Sequence, residues 1–133
     1  MVPYRIVLAN NHAPFRQCLR RILKGKCELE IIGEAEDDLE LFNLLSSSEG
    51  TPNMVIVDPS MPNFRGAEAI RKIKAAYPDM KVLILSMHRD KEYLSQAISS
   101  GAEGYLIKET VGDELLTAIE TIMQGRLYVP PFP

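Results

Sequence analysis

The stretch YRIVLANNHAPFRQCLRRIL, Tyr4–Leu23, decides the fold. Tyr4–Ala9 is a short apolar run with little alternation, the pattern of a strand buried on both faces. Phe15, Leu19, Ile22 and Leu23 then recur at i, i+4, i+7 and i+8, which gathers them on one face of a helix. Between the two lie a pair of neutral amides, Asn10 and Asn11, and then His12. Strand, polar turn and amphipathic helix make one βα unit.

The unit repeats along the chain. Leu29–Glu34, Met54–Val57, Val82–Leu85 and Gly104–Ile107 read as further strands. Leu41, Leu44 and Leu45 mark a second helix, and Ile70, Ile73 and Tyr77 a third. Leu94, Ala97 and Ile98 mark a fourth, and Leu115, Ile119, Ile122 and Met123 a fifth. The strand LEIIGE is more polar than the others and is expected near a sheet edge. Thr110 and Asp113 fit a capping box at the start of the last helix, and Gly125 suits its end. Five such units predict an α/β domain, a doubly wound five-stranded parallel sheet with right-handed crossovers and helices on both faces.

A length of 133 residues suits one domain with a single core. Lys and Arg total 15 against 18 Asp and Glu, a net charge of −3 that argues against a nucleic-acid surface within this chain. The local cluster Arg20, Arg21, Lys24 and Lys26 reads as the solvated face of the first helix. Cys18 and Cys27, without a His cluster, make neither a metal site nor a disulfide framework and are expected as reduced thiols. No apolar run has the length of a membrane span and the N-terminus lacks a signal-peptide pattern, so a cytoplasmic location is expected. The tail GRLYVPPFP has three prolines in its last four residues. That composition suits a linker, which puts the domain at 1–126 and the start of a linker at 127–133.

Open α/β sheets bind ligands outside the carboxyl ends of their strands. The residues there are Asn10 and Asn11, then Asp58, Ser86 and Lys108 after the third, fourth and fifth strands. Each has a plain structural reading. Asp and Asn close strands with Asx turns, Ser86 or Asp90 would cap the next helix, and Lys108 would carry its charge from a buried strand out to water. As a set they suggest chemistry. An Asp nucleophile, a hydroxyl and an ammonium accept a phosphoryl group, the ammonium neutralising the added charge and the hydroxyl donating to a phosphoryl oxygen.

The stretches NNHAPFRQCLRRIL, EIIGEAED, VIVDPSMPNFRGAEAIRKIK, VLILSMHRDKEYLSQAISSGAEGYLIKE and DELLTAIETIMQGR occur in that order. On them the chain, from Tyr4 to about Tyr128, resembles the receiver domain of a two-component response regulator. It is most similar to the NarL/FixJ subgroup, whose receivers usually precede a LuxR-type helix-turn-helix output domain. The resemblance implies a flavodoxin-like (βα)5 fold and a signalling domain rather than a turnover enzyme. A sensor histidine kinase would supply a phosphoryl group to Asp58, where Ser86 and Lys108 contact it. Tyr105 matches an aromatic that reorients on activation, though its residue type also fits an ordinary half-buried strand position. Ser60 matches a position that offers its carbonyl to Mg²⁺ and its amide to the phosphoryl group, and Pro59 before it leaves that amide intact. Glu109 departs from the Lys-Pro pair of many receivers, a change frequent in this subgroup. A homodimer through the first or last helix is implied, as is DNA contact through an output domain outside this chain.

One departure bears on the chemistry. The family expects two acidic residues where Asn10 and Asn11 stand. Carboxylates there would hold Mg²⁺ together with Asp58, since this hard cation prefers charged oxygens. With three carboxylates and a lysine the pocket would carry about −2 before metal, whereas Asp58 and Lys108 sum to zero. Weak Mg²⁺ binding and slow phosphorylation of Asp58 are expected, with a direct Asp58–Lys108 pair as the alternative use of that charge. Asp90 and Glu109 are the nearby carboxylates that would have to substitute as ligands, with no spacing argument for either. His12 is common at its position in the subgroup, and His88 reads as a solvated loop histidine. Two functions stand. One is a phosphorylation switch with an impaired metal site, the other a phosphorylation-independent pseudo-receiver that acts as a protein-interaction module.

Other classes fit less well. A flavin-binding electron carrier shares the architecture but needs a Ser/Thr/Gly-rich loop after the first strand, and NNHAPF is not one. An aspartyl-phosphate phosphatase wants a second acid two residues past its nucleophile, where this chain has Ser60. A purely structural protein would not require Asp58, Ser86 and Lys108 together.

Overall fold

Each expected strand forms, and together they make one parallel sheet: β1 (Tyr4–Ala9), β2 (Leu29–Ala35), β3 (Met54–Val57), β4 (Lys81–Ser86) and β5 (Gly104–Ile107). This computed structural model describes residues 3–47, 51–62, 64–87 and 91–130. His88 and Asp90 lie outside the described residues, as does 131–133 of the proline-rich tail. The helices are α1 (Ala13–Lys24), α2 (Asp38–Leu45), α3 (Gly66–Ala76), α4 (Lys91–Ser99) and α5 (Val111–Met123), with a 3₁₀ turn at Lys108–Thr110. Strand order is β2-β1-β3-β4-β5. The chain therefore winds outward from β1 to β2 and then reverses to β3. That reversal leaves a crevice between the carboxyl ends of β1 and β3, where such sheets bind ligands.

Side-chain alternation sorts the sheet into two cores. Ile6, Leu8, Met54, Ile56, Leu83, Leu85 and Leu106 pack under α1 and α5 against Leu19, Leu23, Leu115 and Ile119. Val7, Ala9, Val55, Val57, Val82, Ile84, Tyr105 and Ile107 face α2, α3 and α4. Burial on both faces explains why the central strands read as unbroken apolar runs. The polar strand β2 is indeed an edge, and its register slips beside Ile6 and Val7 so that Ile32 has no partner on β1 and is 38% exposed. Such a bulge turns an edge away from further pairing. No helix among the described residues is long and apolar enough to cross a membrane.

The ends of α5 differ from expectation in one respect. Thr110 occupies the N-cap position, but its hydroxyl makes no cap and donates instead to the Ile107 carbonyl at 3.2 Å. The 3₁₀ turn has already used the local backbone geometry that a capping box needs. Gly125 ends the helix as expected, at φ +86°, with its N–H on the Ile122 carbonyl at 2.9 Å and that of Arg126 on Thr121 at 3.2 Å. Met123, expected on the buried face, is 42% exposed: Ile122 takes the buried position in the last turn, against Gly104 and Leu83, and the next residue is rotated by about 100° towards solvent.

After this turn the chain returns along β5. Tyr105 N–H donates to the Tyr128 carbonyl, and Tyr128 N–H to the Glu103 carbonyl, both at 3.0 Å. The Tyr128 hydroxyl donates to Glu114 Oε1 at 2.6 Å. Burial and the neighbouring carboxylate push the Tyr128 phenol up to about 12.

Gly104 allows α5 to seat on the sheet: a Cβ there would lie 2.7 Å from Ile122 Cδ1 and 2.8 Å from Leu83 Cδ1. Both neighbours are buried, so the added methyl overpacks the core. Gly104→Ala is expected to cost about 1–3 kcal/mol in urea unfolding. Gly112→Ala, in the first turns of α5 with open space around the new Cβ, is expected to stabilise by about 0.5–1 kcal/mol. Equal effects of the two substitutions would contradict this packing account.

Candidate functional site

The carboxyl ends of β1, β3 and β5 carry Asn10, Asp58 and Lys108 on one face, and Ser86 ends the adjacent strand β4. Asp58 follows β3, with its N–H on the Ala9 carbonyl at 2.9 Å, and Asn10 follows β1, with its N–H on the Ala35 carbonyl at 2.9 Å. The alternation that turns Leu8, Ile56 and Leu106 towards α1 and α5 turns Asn10, Asp58 and Lys108 the same way. Ser86 and Tyr105 take the opposite sense and line a cavity of about 50 Å³ with Pro59, Ile84, Tyr93 and Ala97. Tyr105 is 1% exposed, more deeply enclosed than a half-buried strand aromatic.

Asp58 is 2% exposed, and both of its carboxylate oxygens accept hydrogen bonds. Oδ1 accepts from the Ser60 N–H at 2.9 Å and the Ser60 hydroxyl at 2.7 Å. Oδ2 pairs with the Lys108 ammonium. Lys108 emerges from β5 into the 3₁₀ turn, its side chain 17% exposed and its Nζ 5.0 Å from the centre of the Phe15 ring at the start of α1. The ring face adds a weak attraction to the ammonium and covers it on one side.

Asn10 is equally buried, at 1% exposed, while Asn11 is exposed. The Asn10 Oδ1 accepts from the His12 N–H at 2.6 Å, an Asx turn that leads the chain into α1. Its Nδ2 has no hydrogen-bond partner among the described residues. Arg16 holds the loop from behind. It donates through Nη1 to the Asn10 carbonyl and pairs with Glu34 at 2.9 Å and Glu36 at 3.1 Å.

These residues do not fit Mg²⁺. The Asp58 carboxylate has both oxygens engaged, the amide oxygen of Asn10 is turned to His12, and neither amide brings charge. Glu109 is exposed, and no group of three or more His, Cys, Asp or Glu is placed to hold a metal among the described residues. Sequence reasoning did not find the Ser60 hydroxyl contact, the Phe15 ring or the Arg16 clasp. The first had a signal, since a serine two residues past an Asp completes an Asx turn. The others depend on α1 lying beside β2 and α5, with Lys108 reaching from the end of β5 to the Phe15 ring, which spacing along the chain does not encode.

The pairing of a buried carboxylate with a partly exposed lysine predicts unequal mutants. Lys108→Met leaves Asp58 without its cation and is expected to cost about 3–5 kcal/mol in urea unfolding. Asp58→Asn keeps an acceptor for Ser60 and leaves an ammonium able to reach water, so about 1 kcal/mol is expected. The double variant is expected near the second figure. A Lys108→Met protein as stable as Asp58→Asn would show that the pair contributes little.

Comparison with known proteins agrees with this fold. The family model for the response regulator receiver domain matches residues 6–120. The transcriptional regulatory protein DegU of Brevibacillus brevis is 36% identical over 127 residues, covering 96% of this chain and 53% of its own length. The chain thus spans about half the length of the curated relatives it matches. Among solved structures, a LuxR-family two-component response regulator from Aurantimonas sp. SI85-9A1 is 31% identical with a TM-score of 0.88, covering 97% of this chain and 91% of that one. The non-phosphorylated receiver domain of RcsB from Escherichia coli has the same fold, with a TM-score of 0.90 at 24% identity over 97% of this chain and 99% of that one. A buried aspartate paired with a lysine at the reversal point of a β2-β1-β3-β4-β5 sheet, together with these matches, places the chain in the response regulator receiver domain family.

Proposed function

We propose that this chain is a phosphoacceptor receiver of a transcriptional response regulator, with Asp58 accepting the phosphoryl group of a sensor histidine kinase and little dependence on Mg²⁺. The observation that carries the reading is the buried Asp58 carboxylate with the Lys108 ammonium on Oδ2. An Asp58 oxygen attacks phosphorus and its electron pair forms the new O–P bond. The P–N bond of the donor breaks, its pair remaining on the imidazole nitrogen, which takes up a proton. The ammonium, already in place, moves from a carboxylate oxygen to a phosphoryl oxygen and meets the arriving charge. Ser86, at the end of the adjacent strand β4, is assigned to a second phosphoryl oxygen, and the Ser60 N–H to a third. Tyr105, on the face that Ser86 shares, would carry the change outward to the α4 side. The output lies in a DNA-binding domain of the same protein, as the half-length match to DegU supports, and dimer contacts through α1 or α5 belong to the same reading. A cytoplasmic location goes with a cytoplasmic kinase domain.

The occupied state of both Asp58 oxygens favours a second reading, a pseudo-receiver that is never phosphorylated and whose state is set by a protein partner. Intact-mass analysis after incubation with acetyl phosphate separates the two, with Asp58→Asn as the control. An adduct of one phosphoryl group that requires Asp58 and forms at similar rates with and without Mg²⁺ is expected. Strict dependence on Mg²⁺ would overturn the metal part of the proposal. No adduct from acetyl phosphate or from a panel of phosphorylated histidine kinase domains would favour the partner-driven module.

A further inference from the structure

The unpartnered Nδ2 of Asn10 has a use that a carboxylate at that position lacks. Asn10 is 1% exposed, and a buried amide N–H₂ with no acceptor costs free energy unless something supplies one. Its orientation is fixed by the other end of the group: Oδ1 is held by the His12 N–H at 2.6 Å, so the N–H₂ is directed elsewhere. Asn10 and Asp58 end adjacent strands, Ala9 pairing with Val57, and alternate to the same face of the sheet. The Lys108 ammonium reaches Asp58 from β5 on that face. A neutral donor without an acceptor and a cationic one thus stand on the same face at the strand ends, the second of them already on the buried carboxylate.

We propose that Asn10 is a direct hydrogen-bond donor to a tetrahedral oxyanion on Asp58, so that the site holds a phosphoryl group without a divalent cation. This deepens the phosphoacceptor reading and takes its ligand from it. Charge makes the case. A phosphoryl group carries about −1.5 to −2 at neutral pH. On a site with two further carboxylates, a lysine and a dication, the net charge is about −1. With Asn10, Asn11 and Lys108 and no dication it is again about −1. The paired amides leave the phosphorylated site at the charge it would have with an acid pair and a metal. Nδ2 then supplies a hydrogen bond where a carboxylate would repel the phosphoryl oxygen.

The test is a titration of the folded chain with beryllofluoride, a tetrahedral mimic that binds a carboxylate oxygen, in buffer stripped of divalent cations. It is followed by ¹H–¹⁵N NMR on the Asn10 side-chain amide. Saturable binding is expected, with the two Asn10 Nδ2 protons among the most shifted. Asn10→Asp keeps the acceptor for His12 and is expected to lose about tenfold or more in affinity without metal and to recover with Mg²⁺. Asn10→Leu adds no charge and removes the donor, and a similar loss is expected in a protein whose amide spectrum remains dispersed. The proposal is overturned if wild type binds only with Mg²⁺, if the Asn10 amide does not move on saturation, or if Asn10→Leu binds as tightly as wild type. Binding with an Asn10 shift, beside a chain that no phosphodonor labels, would keep the oxyanion donor and reject the phosphoacceptor reading. Labelling of Asp58 unaffected by Asn10→Leu would do the reverse.

Discussion

A carboxylate buried at the end of a parallel sheet has to be neutralised, and at Asp58 the neutralising group is Lys108. Much of the architecture serves that contact. The reversal from β2 to β3 opens the crevice into which Asp58 projects, and Gly104 lets α5 lie close enough for β5 to seat beside β4. The 3₁₀ turn at Lys108–Thr110 then directs the lysine back across the strand ends, with the Phe15 ring of α1 beside its ammonium. An ion pair in such a place is worth little by surface standards, but removal of one partner strands a charge in low dielectric. The pair couples the end of β5 to the end of β3, and a group added to Asp58 has to change that coupling.

The two strand ends solve the same local problem in the same way. Asp58 and Asn10 each close their strand with an Asx turn, onto the N–H of Ser60 and of His12 respectively. In each the turn uses one side-chain oxygen. What remains differs: Asp58 keeps an anionic Oδ2, which takes Lys108, and Asn10 keeps an N–H₂, which takes nothing. A structural role and a chemical role coexist in one side chain, because the turn occupies only half of a planar group. Replacing carboxylate by amide at the end of β1 preserves the turn and reverses the preference of the other half, from cations to anions.

Most of the fold was legible because burial on both faces leaves an unmistakable record. Ile6–Ala9, Met54–Val57 and Gly104–Ile107 are strands whose apolar runs admit few alternatives, and the spacing of Leu115, Ile119 and Ile122 could only serve one helix face. The convergence of Asp58, Ser86 and Lys108 at one end followed from that order alone. Contacts set by how a helix lies across the sheet were not legible: Phe15 beside Lys108, and Arg16 spanning Asn10, Glu34 and Glu36. Nor was the failed cap at Thr110, where a favourable local pattern lost to the 3₁₀ turn that positions Lys108. The proline-rich composition of the tail likewise did not encode the bonds of Tyr128 to Glu103, Tyr105 and Glu114, which follow the turn at Gly125.

Whether the paired amides have removed the cation site decides how Asp58 can be used. The direct measurement is a titration of the unphosphorylated chain with Mg²⁺, read by the backbone and side-chain amide resonances of residues 10, 11, 58 and 60. Shifts that stay small and rise linearly into the millimolar range are predicted, with no saturation centred on these residues. A saturating shift focused on Asn10 and Asp58, with displacement of Lys108 from Oδ2, would show that a neutral pair of amides still captures the metal and would contradict the account.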